Sequence, residues 1–213
     1  MFRIFAHRLP ERFLAVYRGN SIFYHIAAVV LTYVLVVSGF DWYFFEVTRS
    51  PYFYPLTMAA GIGGFFVPVL IPIGMYVVGE IRKNAALIAH GALCAQAVVI
   101  AWVVSSFYKA LTGRIEPEFL TQTSFVDGSR NFNFGILEHG IFWGWPSSHA
   151  ATACALAAAL IVCYSSNNVV KALAFLLAAS VAVGAAVGFH WFSDVLAGII
   201  IGTLAGVVVA RAK

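Results

Sequence analysis

Charge is the scarcest property of this sequence. Asp, Glu, Lys and Arg make up 10% of its 213 residues, against roughly 25% in an ordinary soluble domain. A soluble domain of this length needs a wetted, charged exterior, so that class is excluded. A disordered chain is excluded too, because it would be polar and not 62% hydrophobic. There is no long basic run either. The net charge of +4 rests on 13 Lys and Arg against 9 Asp and Glu, and nothing here grips a phosphate backbone, so nucleic acid is no expected partner. Cysteine is equally sparse. Cys94, Cys154 and Cys163 all lie inside apolar stretches. Such an odd set is neither a disulfide framework nor a zinc site, and the three read as small core residues. No metal or other cofactor is implied.

Apolar length is abundant. The mean hydropathy is +0.88, and about 20 apolar residues cross a bilayer as a helix. Six stretches qualify: 21–40, 57–78, 85–107, 147–164, 169–189 and 194–210. The expected fold is all-α, a six-transmembrane-helix bundle forming one integral membrane domain over residues 1–213. Pro68 and Pro72 predict a kink in the second span. In residues 1–20, Phe2, Phe5, Leu9, Phe13, Leu14 and Tyr17 form one apolar stripe beside Arg3, Arg8, Arg12 and Arg18. That pattern predicts an N-terminal interfacial amphipathic helix. No small-residue cleavage site follows the first span, so a removable signal peptide is not expected.

Six spans put both termini on one side. The four N-terminal arginines, Arg82, Lys83, Lys171, Arg211 and Lys213 share that side, while seven of the nine acids fall on the other. The positive-inside rule then makes both termini cytoplasmic and turns the one long loop, 108–146, outward. A bacterial inner membrane is the expected setting. Trp42, Tyr43, Tyr52, Tyr54, Trp143 and Trp145 fit an interfacial aromatic belt. Gly198, Gly202 and Gly206 recur every fourth residue, a small-residue face for close helix packing.

An ionisable residue at a membrane span is expensive and marks a candidate site. Such residues gather in three places: Lys109 and Arg114 in YKALTGRIEP (108–117), His149 in WPSSHA (145–150), and His190 and Asp194 in GFHWFSD (188–194). By the topology above, all three lie at the outer end of the bundle. His190 and Asp194, four apart, share one helix face. A carboxylate on one ring nitrogen fixes a histidine tautomer and makes the other nitrogen a better nucleophile. His149 can then protonate a leaving alkoxide. Pro146 and Ser147 open a helix whose first amides, with the hydroxyls of Ser147 and Ser148, suit a phosphate. Lys109 and Arg114 can hold its other oxygens. Together these parts describe phosphoryl transfer through a phosphohistidine. Each also has a plainer reading: a His-x-x-x-Asp as a capping pair, and Lys109 and Arg114 as anchors that snorkel to headgroups. His25 and His90, mid-span with no adjacent acid, read as packing or hydrogen-bonding residues.

The three clusters, in this order, resemble the type 2 phosphatidic acid phosphatase superfamily of integral membrane enzymes, from about residue 57 to the end. That family carries Lys, six residues, Arg-Pro; then Pro-Ser-Gly-His; then Ser-Arg, five residues, His, three residues, Asp. Here Lys109 and Pro117 match the first motif, Pro146, Ser147 and His149 the second, and His190 and Asp194 the third. The resemblance implies His190 as nucleophile, Asp194 as its orienter and His149 as the acid. The sequence departs at two arginines: Glu116 stands in the first motif, and Val183-Gly184 stand for Ser-Arg in the third. Arg114, two residues away, and Arg130, in the outer loop, are the expected replacements. The implied activity is a membrane lipid phosphatase acting on a lipid phosphate or pyrophosphate. Two other readings stay open. One is a phospho-head-group transferase to a lipid alcohol, as in the related sphingomyelin and inositol phosphorylceramide synthases, which use the same His/His/Asp triad. The other is a non-catalytic lipid-binding or translocating protein. In every case the partners are the bilayer and a lipid substrate.

Overall fold

The structure, a computed structural model, describes residues 5–118 and 126–212. Among these residues every regular element is a helix, save an isolated bridge between Arg114 and Phe132. The elements are α1 (Leu9–Ala15), α2 (Ser21–Val37), α3 (Phe40–Thr48), α4 (Tyr54–Ile81), α5 (Ala85–Thr112), α6 (Ser148–Cys163), α7 (Asn168–Ala186) and α8 (Phe192–Arg211). A single 3₁₀ turn, Pro51–Phe53, leads into α4.

Four helical segments are long and apolar enough to cross a bilayer: Pro51–Ile81, Ala85–Thr112, Asn168–Ala186 and Phe192–Arg211. The protein is therefore an integral membrane protein. The first expected span is a broken one. α2 and α3 meet at 72°, with Gly39 between them at φ 76, a left-handed turn that glycine adopts without steric cost. The pair can count as a fifth span. α6, expected as another, has 16 residues, fewer than the roughly 20 a spanning helix needs. It lies at the buried centre of the bundle, and every residue from Ala150 to Leu160 is buried. A helix apolar all round is buried by protein as readily as by lipid. α4 runs as one continuous helix through Pro68 and Pro72.

Part of the stripe expected to lie on the bilayer packs against the bundle, while Leu14 stays exposed. α1 is seven residues long, and its Leu9 and Phe13, with Tyr17 beyond it, pack against the main core, where Val16 is fully buried. Arg12 donates to Gln96 Oε1 at 2.5 Å and to the Ala212 carbonyl at 3.2 Å. Gln96 donates in turn to the carbonyls of Phe5 and His7. Phe2 lies outside the described residues. Trp145 leaves the expected aromatic belt: it is buried, and its indole N–H donates to Thr32 Oγ1 at 2.8 Å.

α6 and α8 share the most extensive contact in the bundle. It depends on the predicted glycine face. A Cβ at Gly198, Gly202 or Gly206 would overlap the carbonyls of Ser147, Ala151 and Ala155 respectively. Alanines fill the α6 side, so the two backbones touch. This contact sets the N-terminal turns of α6 and α8 side by side, and Ser147 N–H donates to the Asp194 carbonyl at 3.0 Å. Gly202→Val should force the pair apart and destabilise the protein by about 2–3 kcal/mol. The measurement is the Tm of purified protein in detergent micelles; a wild-type Tm would refute this packing.

Candidate active site

The cluster forms where α5 ends and α6 and α8 begin. Lys109 lies in the last turn of α5, 1% exposed. Its Nζ donates to the Gly144 carbonyl at 2.7 Å, and among the described residues its other two N–H groups have no acceptor. On the other side of the same glycine, Glu116 Oε1 accepts the Gly144 N–H at 2.7 Å. Gly144 sits at φ 90, and a side chain there would strike the Arg114 carbonyl. Lys109 and Glu116 thus clamp the turn that feeds Pro146 and the α6 N-terminus. Ser147 caps that helix, with Oγ accepting from Ala150 N–H at 3.4 Å. Ser148 Oγ lies 3.1 Å from Ser105 Oγ.

His149 and His190 face one another with ring centroids 6.2 Å apart, and the edge of Phe189 meets the His149 ring at 5.0 Å. In both rings Nδ1 is buried without a partner among the described residues. His190 Nδ1 lies 3.6 Å from Asp194 Oδ2. That is longer than a direct hydrogen bond, a looseness common in sites that tighten around substrate. Asp194, third residue of α8, also takes the Trp191 N–H at 3.3 Å. Burial holds the His190 imidazole below its ordinary pKa. Asp194 pulls it back up, and Lys109 and Arg114 reinforce the lowering. Burial thus favours the neutral ring. Burial raises the Glu116 carboxyl to about 7, against the Gly144 N–H and Lys109, which favour its charged form.

Arg114 behaves differently from expectation. Its guanidinium is fully buried and every N–H is used within the protein. Nη1 donates to Asp194 Oδ1 and to Ser193 Oγ; Nη2 donates to Asp41 Oδ2 at 2.7 Å and to the Ser129 carbonyl at 2.6 Å; Nε donates to the same carbonyl at 3.2 Å. Phe132 and Trp191 cover its faces, 4.8 and 5.8 Å away. No N–H remains for a substrate oxygen, so in this arrangement Arg114, expected at the phosphate, is an internal brace. Arg130, the other expected replacement, is exposed and donates to the Val37 carbonyl at 3.4 Å. Gly184, in place of a family arginine, packs against α4, where a Cβ would crowd Ala60 and the Leu56 carbonyl. Helix contact closes that position to any side chain. Sequence reading missed Asp41 and Ser193, whose only signal was an acid at the end of an apolar run and a serine beside Asp194.

His149 and Ser148 also line a cavity of about 410 Å³ between α4 and α5, otherwise walled by apolar groups such as Phe65, Val69, Val98, Trp102 and Phe142. A buried and a half-buried imidazole, a carboxylate and an ammonium at the end of an apolar recess define a membrane-embedded polar site of the kind that handles lipids. The comparisons agree. The PAP2 superfamily model matches residues 86–213, and the chain belongs to that superfamily. The crystal structure described as the first transmembrane PAP2 type phosphatidylglycerolphosphate phosphatase, from Bacillus subtilis, superposes with a TM-score of 0.60, covering 88% of this chain and 94% of that one at 18% identity. That likeness is one of fold. Comparison with curated proteins gives no match.

Two expectations follow. Glu116 is neutral below about pH 7 and anionic above it, so KM for a lipid phosphate should rise between pH 6 and 8. The substrate's own second ionisation, near pH 6, adds to the rise. Glu116→Gln keeps the acceptor for Gly144 and should flatten the profile; superimposable profiles would remove Glu116 from the site. Arg114→Met leaves Asp41 and Asp194 buried and unbalanced, and should destabilise by about 3–5 kcal/mol. Arg130→Ala should stay within about 0.5 kcal/mol of wild type with unchanged turnover. Thermal unfolding in micelles separates the two, and a wild-type Tm for Arg114→Met would sink the brace.

Proposed function

We propose that the protein is a membrane lipid phosphatase, releasing phosphate from a lipid phosphate or pyrophosphate through a phosphohistidine on His190. The observation that carries this reading is the convergence of Lys109, His149, His190 and Asp194 at one end of the bundle, where an apolar cavity opens onto His149. The cavity takes the lipid chain. The two N–H groups left on Lys109, the first amides of α6 and the Ser148 hydroxyl take the phosphate oxygens. His190 Nε2 attacks phosphorus with its lone pair, and the bond from phosphorus to the leaving oxygen breaks. Protonated His149 gives that oxygen its proton. A water then yields a proton to His149 and attacks phosphorus; the N–P bond breaks and phosphate leaves. Asp194 holds His190 Nδ1–H throughout and offsets the positive charge of the phosphorylated ring. In this reading α2 with α3, α4, α5, α6, α7 and α8 make six crossings, with both termini cytoplasmic and the site facing the exterior or periplasm of a bacterial inner membrane.

One observation favours a second reading, transfer of a phospho-head-group to a lipid alcohol. Glu116 and Gly184 fill the two family arginine places, so among the described residues Lys109 is the one cation at the site with N–H groups to spare. A single ammonium matches a phosphodiester monoanion better than a phosphate dianion. The test is turnover of purified protein in micelles against a panel of lipid phosphates and diesters, with and without added lipid alcohol, beside His190→Ala. Free phosphate that vanishes in the variant is the expected result. A new phospholipid without free phosphate would shift the assignment to the transferase. Wild-type rates in His190→Ala would overturn both.

A further inference from the structure

The buried carboxylate of Asp41 lies outside the segment matched by the superfamily and outside its three motifs. It comes from the second residue of α3, brought over the site end of the bundle by the 72° bend after α2. Asp41 is fully buried, and every hydrogen bond it makes leads toward Asp194. Oδ1 accepts the Ser193 N–H at 2.8 Å; Oδ2 accepts the Ser193 hydroxyl at 2.5 Å and Arg114 Nη2 at 2.7 Å. Ser193 is the residue before Asp194, and Arg114 Nη1 is bonded to Asp194 Oδ1. One guanidinium therefore stands between two carboxylates, one of which is the partner of His190.

The charges give this arrangement its meaning. Arg114 paired with Asp194 alone would be neutral, and the carboxylate would have little field left for the imidazole. With Asp41 added, the three side chains carry one net negative charge, next to the ring that becomes positive when its Nε2 is phosphorylated. Asp41 also draws Arg114 toward itself, so Arg114 bonds only one Asp194 oxygen and leaves Oδ2 toward His190 Nδ1. We propose that Asp41 is a positioning residue for the reaction: by sharing Arg114 with Asp194, it keeps the Asp194 carboxylate available to orient His190 and to balance the charge the ring gains. The inference rests on the phosphohistidine reading above.

Removing the Asp41 charge leaves Arg114 to act on Asp194 alone, and the His190 ring becomes harder to protonate. The other ionisable or charged groups around that ring are Asp194 on α8, Lys109 on α5, His149 on α6, and Arg114 and Glu116 from the α5–α6 connection; Asp41 from α3 acts through Arg114. Asp41→Asn should lower kcat by tenfold or more with little change in KM, and move the acid limb of the kcat/KM profile to lower pH. Asp41→Glu should keep the wild-type limb. Ser193→Ala removes the two hydrogen bonds of the hydroxyl, from Arg114 and to Asp41, and leaves every charge in place; its limb should also stay in place, and a shift there would overturn the charge argument even if Asp41→Asn cannot be recovered folded.

A second measurement does not depend on turnover. Diethyl pyrocarbonate acylates only the neutral imidazole, so its rate at His190 against pH, followed by mass spectrometry of the His190 peptide, reports protonation of that ring. In Asp41→Asn the midpoint should fall. An unchanged midpoint, with only a lower Tm, would make Asp41 structural and overturn the inference. A shifted midpoint in a protein that turns over no lipid ester would overturn the phosphatase reading and leave the Asp41 linkage standing.

Discussion

A guanidinium sealed from water organises one whole end of this protein. Burying a charge costs several kcal/mol unless it is paired and its hydrogen bonds are made. Arg114 meets that demand by gathering acceptors from three separate segments: Asp41 on α3, the Ser129 carbonyl in the α5–α6 connection, and Ser193 and Asp194 at the start of α8. The position of each is thereby tied to the others. The 72° bend after α2 is what lets a helix cross the end of the bundle instead of continuing out of it, and the carboxylate it carries is why the arginine can stay buried.

The two vacated arginine places read differently once the packing is known. Glu116 has a definite structural task, holding the Gly144 N–H while Lys109 holds the carbonyl of the same residue. Gly184 is required where α7 meets α4, because any side chain would enter the Leu56 and Ala60 surface. Neither place is simply an eroded site; each has been given over to helix and turn geometry. The consequence is a site poor in positive charge, which narrows the kind of phosphate it suits.

Much of this was legible in the sequence, because apolar length, small-residue spacing and motif residues are local patterns. The glycine face of α8 packs as closely as its spacing suggests, and Lys109, His149, His190 and Asp194 do come together. Apolar length could not distinguish a helix covered by lipid from one covered by protein, so the place of the short α6 at the buried centre of the bundle was not visible in it. The stripe through Leu9, Phe13 and Tyr17 was real, but a stripe does not say whether it meets a membrane or a bundle. Arg114 lies beside Asp194 as its motif suggested, but its pairing with Asp41 was not legible, since the two are 73 residues apart and no periodicity connects them. Trp145 was misread for the same reason, its partner Thr32 being 113 residues distant.

The recess beside His149 has side walls, Phe65, Val69 and Trp102 among them, that are themselves largely exposed on the flanks of α4 and α5. A lipid arriving there travels within the plane of the bilayer and never crosses bulk water with its chain exposed. Encounter is then two-dimensional, and the relevant concentration is the substrate's mole fraction among surrounding lipids, not its molarity in the sample. Adding inert detergent at constant substrate molarity dilutes that surface, so the composition of the host phase becomes a kinetic variable in its own right.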